Sequence, residues 1–477
     1  MKILLIQPEG QTGKIGFRLA ALPEPLALEL LATAAGDAHE IRILDMRLEG
    51  NLAAVLQDFV PEMVAVTALT TEVYAAQNVL AEVKAFNKDI FTLVGGHHAS
   101  LLPEDFFLSQ VDAVSIGEGE LSFPFLLEAL GHGRELSTVP SLMYRRPDGS
   151  FAKSTADPGK VKMDCLGLPR RDLTAKYRSE YFFLFDKPDT SVATGRGCPY
   201  RCNFCSVWTF YNGQTSQMTP QRVLQEIEAA GTDHITFVDD NFLMNNKRED
   251  AIADLVRSSG IRKRFSMECR TDSIVRHPEL VTKWVDVGLY AVLLGLEGAN
   301  DKALKNVNKN NTSSNNDEAI RILKDHGVII WGAFLVDPQW EEDDFRCLRD
   351  YVNAKEITHT QFTVLTPLPG TDLFARMFPE LLTYDYGCYD ALHAVTATKL
   401  PREKFYQCFA NLYRQRDLGP YLDLVREGKL SIEDCKRGKG MLDAMAQWEL
   451  YLENDPVLGK CRDKSQISGG LKRFLKA

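Results

Sequence analysis

The chain has 477 residues, 45% of them hydrophobic and 25% charged, an ordinary globular make-up that is too long for one hydrophobic core. A formal net charge of −10 argues against nucleic acid as a partner, since phosphate binding needs a basic face. No apolar run approaches the roughly 18 to 20 residues that span a bilayer, and Met1-Lys2 leads straight into a strand, so the chain reads as cytoplasmic.

Over residues 2 to about 131, short apolar runs alternate with helical periodicity, the pattern of a doubly wound α/β domain spanning residues 1–140. The expected strands are KILLIQP, EIRILDM, MVAVTAL, FTLVGGH and AVSIGE, separated by helices such as PLALELLATAAG and YAAQNVLAEVKAFN. Ligands of such sheets sit beyond the carboxyl ends of the strands, where loops deliver Pro8, Thr70, Thr71, Gly95, Gly96, His97, Gly117 and Glu118. Glycine there lets a large ligand approach the backbone. GQTGK after the first strand is not a phosphate loop, because Pro8 replaces its first glycine and Ile15 its Ser or Thr. The apolar stretch Phe17 to Leu22 either lies over a ligand or acts as a hydrophobic staple.

SLMYRRPDGSFAKS reads as a hairpin around Pro147-Asp148-Gly149 and, with the polar segment to residue 190, forms a linker over 141–190. From 191 to 397 six strand candidates follow: SVATGRG, HITFVDD, FSMECRT, AVLLGLE, VIIWGAFLVDP and THTQFTVLTP. Amphipathic segments such as QRVLQEIEAAG and DEAIRILKDHG separate them, which suits a partial (β/α)6 barrel with its active face at the carboxyl ends of the strands. Residues 398–477 look helical, with apolar faces in KFYQCFANLYRQR and LDAMAQWELYL; the basic tail GGLKRFLKA could touch an anionic membrane but reads as a solvated end.

After the first barrel strand, Cys198, Cys202 and Cys205 stand at C-x3-C-x2-C, close enough for one loop to wrap three thiolates around one inorganic centre. Structural zinc would want a fourth donor, and none follows at zinc-finger spacing, whereas a [4Fe–4S] cluster can leave one iron open. Disulfides would need an oxidising compartment. The other cysteines, Cys165, Cys269, Cys347, Cys388, Cys408, Cys435 and Cys461, are scattered without metal spacing and read as reduced structural thiols.

GRGCPYRCNFC, with aromatic Phe204 before the last cysteine, resembles the cluster motif of the radical S-adenosylmethionine enzymes. The resemblance implies that the open iron chelates the amino and carboxylate groups of S-adenosylmethionine, whose reductive cleavage yields a 5′-deoxyadenosyl radical. It also implies roles at the strand ends. Asp239, Asp240 and Asn241 would hold the amino group, Arg270 the carboxylate, and Glu268 or Glu297 the ribose; backbone groups near Leu365 to Leu368 in LTPLPGTDLF would meet the adenine. A guanidinium suits a carboxylate through paired hydrogen bonds.

VGGHHAS followed by IGEGE resembles the amino-terminal cobalamin-binding domain that precedes the radical domain in one large class of these enzymes. Asp37-Ala38-His39 is not that class's cobalt-ligating signature, because Arg42 stands in place of its glycine; the resemblance therefore implies a cobalt face left open or bound by water. His97 and His98 read as satisfied loop histidines.

Together these readings imply a cobalamin-dependent radical enzyme, a methyltransferase using methylcobalamin at an unactivated carbon, with an external reductase or a flavodoxin- or ferredoxin-type electron donor and a small-molecule or lipid substrate. Length, domain order and GFRLAALPEPLALELL most resemble the hopanoid methylases that act on ring A at the third carbon. Two alternatives stand beside this: a non-methylating radical enzyme such as the anaerobic cyclases of porphyrin synthesis, and a non-enzymatic iron–sulfur or corrinoid carrier.

Overall fold

The computed structural model describes residues 1–10, 15–156, 159–357, 359–414, 419–428, 430–453, 455–458 and 469–471. Residues 11–14 of the GQTGK loop, Thr358 ahead of the last barrel strand, Gln415-Arg416, Cys461 and tail residues 472–477 lie outside them.

Strand β1 (Lys2–Gln7) carries four consecutive fully buried residues, Ile3 to Ile6, as a central parallel strand covered on both faces requires. It pairs in parallel with β2 (Glu40–Asp45) on one side and β3 (Met63–Thr67) on the other, and β4 (Phe91–Gly95) and β5 (Ala113–Ser115) continue beyond β3. The alternation along β1 feeds two cores. Ile3 and Leu5 pack under helices α1 (Leu26–Ala35) and, through Phe123 and Leu126, the long helix Gly119–His132. Leu4 and Ile6 pack with Leu80 and Val83 on the opposite face, which Phe374 and Tyr386 from far down the chain help to close. The sheet order β2-β1-β3-β4-β5 changes direction between β1 and β3, the place where a doubly wound sheet opens a crevice.

The hairpin β6 (Leu142–Arg145) and β7 (Phe151–Lys153) does not belong to the connecting segment where the sequence pattern puts it. It adds two antiparallel strands to the edge at β5, giving a seven-stranded sheet. Leu142 and Ala152 are buried there, so the hairpin's own apolar residues find their core on this sheet.

The second body is a partial (β/α)6 barrel: β8 (Asp189–Val192), β9 (His234–Phe237), β10 (Arg264–Arg270), β11 (Leu289–Glu297), β12 (Ile329–Val336) and β13 (His359–Val364) pair in parallel in chain order. Its first strand stops earlier than SVATGRG suggests. Beyond Val192, Asp239 draws in Thr194 through its backbone N–H and its hydroxyl, both at 2.6 Å, and Gly195–Arg196 turns away to pair with Ser216–Gln217. The helix Arg402–Arg414 packs Phe405, Phe409 and Tyr413 into the barrel core. Ala21–Leu22 pairs with Phe182–Phe183, and Ala20 packs against Leu184 and Trp331, which fixes the Phe17–Leu22 stretch to the barrel side. Among the described residues, no helix is long and apolar enough to cross a membrane.

Candidate active site

Gly197 opens the cysteine loop at φ +81°, and a Cβ there would stand 2.1 Å from the carbonyl oxygen of Gln214, so a side chain is sterically excluded. The loop is then braced by a turn on the far side of β11. Asn203 donates its backbone N–H to Val307 O at 3.1 Å, and Asn308 Nδ2 donates to Arg201 O at 2.6 Å. Cys198, Cys202 and Cys205 are all half-buried and free. Burial pushes each thiol up, Cys205 to about 12. Metal binding would supply the positive charge that burial withholds and drive off the thiol protons. No three His, Cys, Asp or Glu among the described residues converge on a single ion, but a cube of four irons takes each thiolate at a separate iron.

The expected polar residues do meet at the barrel mouth, in two groups. Asp240 and Glu268 are available to a ligand. Asp240 accepts from Gly197 N at 2.9 Å and faces the cavity described below. The Glu268 carboxyl has no hydrogen-bond partner among the described residues, its backbone carbonyl accepting from Phe242 N–H at 2.9 Å, and burial first, then the Asp240 charge, pushes the carboxyl up to about 8. The remaining residues are committed to protein contacts. Asp239 is spent on Thr194, and burial pushes it up to about 6. Asn241 accepts from the backbone N–H of Arg270 at 3.1 Å. Glu297 pairs with Lys309 Nζ at 2.6 Å.

Arg270, read from sequence as a carboxylate anchor, is held on several sides. Its Nε donates to Asp272 Oδ1 at 2.8 Å, Nη2 to the carbonyl of Lys309 at 2.9 Å, and Nη1 to Cys202 Sγ at 3.9 Å, and its guanidinium lies 3.6 Å from the Tyr200 ring centre. Leu365 gives its N–H to Val336 O at 2.9 Å, and Leu368 O accepts from Thr371, so these backbone groups serve the last turn of the barrel. Phe204 sits half-buried between the second and third cysteines.

The carboxyl ends of the two sheets share one cavity of about 1330 Å³, counting its open mouth. Gly95, Gly96, His97, Gly117 and Glu118 line it from the first sheet, and Gly195, Arg196, Val238 and Asp240 line it from the barrel. Between the sheet and the helices it deepens into a slot walled by Ala65, Leu93, Ser115, Leu28 and Phe123. Pro8, Thr70 and Thr71 do not reach it. Pro8 is buried, and Thr70 is hydrogen-bonded to His98 at 3.1 Å; Leu69, exposed into the cavity, is the residue that does.

Gly96 shapes the cavity differently from the expected open approach. At φ +95° its Cβ would meet Thr67 Oγ1 at 2.6 Å and Ala68 N at 2.8 Å, so the glycine serves close backbone packing. The space at Gly117 is open, with nothing within 4 Å of a Cβ.

Two contacts tie the halves together beside the cysteines. His97 Nε2 meets Ser206 Oγ at 2.7 Å, its ring stacks on Phe210 at 4.8 Å, and burial lowers it to about 4, so it is neutral. Arg196 donates to Glu118 at 2.7 Å and to Glu120 at 2.6 Å.

Sequence reasoning missed Lys309 and Ser206, and it placed Glu120 only within IGEGE, without a role. For Lys309 a signal existed in the asparagine-rich run Asn306 to Asn311, because Asn308 and Asn310 take positive φ, as asparagine tolerates and most residues do not.

These residues fit the groups the motifs imply. The cysteine loop offers three thiols and, among the described residues, no fourth protein donor; the mouth offers the Asp240 and Glu268 carboxyls; and the glycine-floored cavity with its slot offers room for a corrinoid.

Comparison with known proteins agrees with this division. Residues 192–352 match the model of the Radical SAM superfamily, and residues 15–127 match that of the B12 binding domain. The chain is 30% identical over 415 residues to the hopanoid C-3 methylase of Methylococcus capsulatus, covering 85% of this chain and 78% of that one. It is 28% identical over 414 residues to an uncharacterized methyltransferase of Pyrococcus horikoshii, covering 84% and 88%. Among solved structures, the fold matches the cobalamin-dependent S-adenosylmethionine radical enzyme OxsB at TM-score 0.69 and 16% identity, over all of this chain and 83% of that one. It matches the radical S-adenosylmethionine methyltransferase TsrM of Kitasatospora setae at TM-score 0.63 and 20% identity, over 79% and 75%.

Proposed function

Because the chain belongs to the cobalamin-dependent radical S-adenosylmethionine methyltransferases, we propose that it methylates an unactivated carbon of a terpenoid lipid of the hopanoid class. The cofactors are a [4Fe–4S] cluster, S-adenosylmethionine and cobalamin. The observation that carries the methyl-transfer reading is the single cavity between the two sheets. A substrate held there would meet both cofactor domains without leaving the protein. The choice of lipid is supported by the 30% identity to a hopanoid C-3 methylase.

Cys198, Cys202 and Cys205 would hold the cluster. Asp240 and Glu268 would bind the amino and ribose groups of S-adenosylmethionine; Glu268, kept largely protonated at neutral pH, can donate as well as accept a hydrogen bond. Gly95, Gly117 and the slot beneath them would hold the corrinoid, with neutral His97 at its edge. When bound, the cluster with S-adenosylmethionine supplies a hydrogen-abstracting radical, and cobalamin supplies the methyl group. The protein's own part is placement and exclusion of water. Leu69 and Val238 present apolar surface to the cavity from opposite domains, where a terpenoid ring system would displace solvent. A one-electron donor of reductase, flavodoxin or ferredoxin type would serve the cluster.

The test is anaerobic reconstitution with all three cofactors and a hopanoid such as diploptene, followed by mass spectrometry. The reading expects 5′-deoxyadenosine, S-adenosylhomocysteine and a lipid heavier by one methylene in matching amounts. The first two products without any methylated lipid across a panel of terpenoids would refute the substrate class.

A further inference from the structure

Two cations act on Cys202, Arg270 by direct approach and Lys309 through its charge. Arg270 reaches its sulfur from Nη1 at 3.9 Å, while Asp272, the Lys309 carbonyl and the face of Tyr200 lock the guanidinium in place. Tyr200 lies within the cysteine loop and is itself bonded to Asp272 at 3.0 Å, so the loop and the cation form one assembly. Lys309 is buried on the same turn that braces the loop. Its ammonium is held by the Glu297 carboxylate at 2.6 Å. Glu297 takes φ +58°, uncommon for a residue other than glycine, at an irregularity in the β11–β12 register, which aims its carboxylate at Lys309 Nζ. Asp240 brings the opposite sign to the other two cysteines: at Cys205 it meets no opposing cation, and at Cys198 it works against Arg270.

Reducing an iron–sulfur cluster adds negative charge to it, and fixed charges in a partly buried site are weakly screened. Cations near a ligand sulfur, and N–H groups pointing at it, therefore favour the reduced form, and carboxylates oppose it. We infer that Arg270 and Lys309 are positioning residues that set the reduction potential of the cluster through Cys202, with Asp240 setting the opposing pull at Cys198 and Cys205. This rests on the cluster assignment above.

The test uses the full chain, anaerobically reconstituted without S-adenosylmethionine, with iron and sulfide counted before potentiometric titration followed by electron paramagnetic resonance. Arg270→Gln and Lys309→Met should each lower the reduced-to-oxidised ratio at a fixed potential by at least tenfold, about 59 mV for a one-electron couple. Arg270→Lys, which keeps the charge, should stay within about threefold of wild type, the same scale read on that couple. Asp240→Asn, which keeps an acceptor for Gly197, should raise the ratio. Opposite signs at equal cluster content distinguish electrostatic tuning from damage to the loop. Unchanged potentials in Arg270→Gln and Lys309→Met, or a shift in one direction by all variants, would overturn the inference. If Arg270→Gln fails to load, Lys309→Met and Asp240→Asn decide it by their signs. A wild-type chain that takes up no cluster would instead bring down the underlying assignment.

Discussion

Removing Arg196 should loosen the two domains. Its side chain is 12% exposed and bridges Glu118, 20% exposed, and Glu120, 9% exposed, across the domain boundary. Taking one partner from a buried ion pair costs about 3–5 kcal/mol, because the remaining charges stay in a poorly solvated place. The cavity gives Glu118 some access to water, so Arg196→Met is expected near the lower end, about 3 kcal/mol. With a urea dependence of about 2–3 kcal/mol per molar, the unfolding midpoint should fall by roughly 1 to 1.5 M. Amide exchange at Gly195–Arg196 and Ser216–Gln217 should accelerate alongside.

The cause can be separated from lost packing. Arg196→Met combined with Glu118→Gln and Glu120→Gln removes the stranded charges, and the triple variant should regain most of the loss. In Arg196→Met alone, the carboxyls would have folded-state pKa values raised above their unfolded ones, so they are protonated at low pH and the deficit should shrink as pH falls from 7 towards 5. A single variant within 0.5 kcal/mol of wild type, the scale of an ordinary surface change, or a triple variant as unstable as the single, would refute this account of the interface.

Three further outcomes follow from the same geometry. Cys198→Ala, Cys202→Ala and Cys205→Ala should each abolish bound iron and brown absorbance while the first domain stays folded, and Cys269→Ala should retain both, since Cys269 is buried in the barrel core. Gly95→Trp should fold yet lose corrinoid affinity at least tenfold by equilibrium dialysis, as its Cβ meets only Ser115 at 3.6 Å and the ring would enter the cavity; Gly96→Ala should instead lower the melting temperature, because its Cβ strikes Thr67 and Ala68. Glu29, fully buried on α1 and pushed up to about 8 by burial first and by Glu24 next, binds a proton in the folded state that the unfolded state releases near 4.5. Between those values stability falls as pH rises, by up to about 1.4 kcal/mol per pH unit, so Glu29→Gln measured by urea unfolding should gain on wild type from pH 5 to 8.

The β-strands of both bodies were legible because parallel strands buried on both faces read as continuous apolar runs, as Ile3 to Ile6 do. The cysteines were legible because their chemistry lies in local spacing. What escaped depends on contacts between distant parts of the chain. The hairpin at 142–153 carries the same pattern whether it stands alone or joins a sheet edge, and only its pairing with β5 decides. Arg270 is a strand-end cation from sequence; that its donors are spent on Asp272 and the Lys309 carbonyl depends on where the turn at 306–310 lands. Thr70 and Leu69 are adjacent, yet His98 holds the first while the second faces the cavity.

Two of the contacts that join the domains lie against the cluster loop. Ser206, which His97 bonds, directly follows Cys205, and Arg196, which Glu118 and Glu120 hold, lies two residues before Cys198. Ligand binding on the first sheet and cluster assembly on the barrel therefore stabilise overlapping contacts, and each should favour the other. By linkage, whatever factor the cluster contributes to corrinoid affinity, the corrinoid must return to cluster affinity. Typical couplings of 1–3 kcal/mol correspond to roughly 5- to 150-fold. Hydroxocobalamin should thus bind the cluster-loaded chain at least about fivefold more tightly than the cluster-free chain, and Ser206→Ala should shrink that ratio while leaving iron content intact. Equal affinities in the two states would show that the shared cavity is held by contacts indifferent to the cluster, and that the position of His97 and Arg196 beside the cysteines carries no coupling.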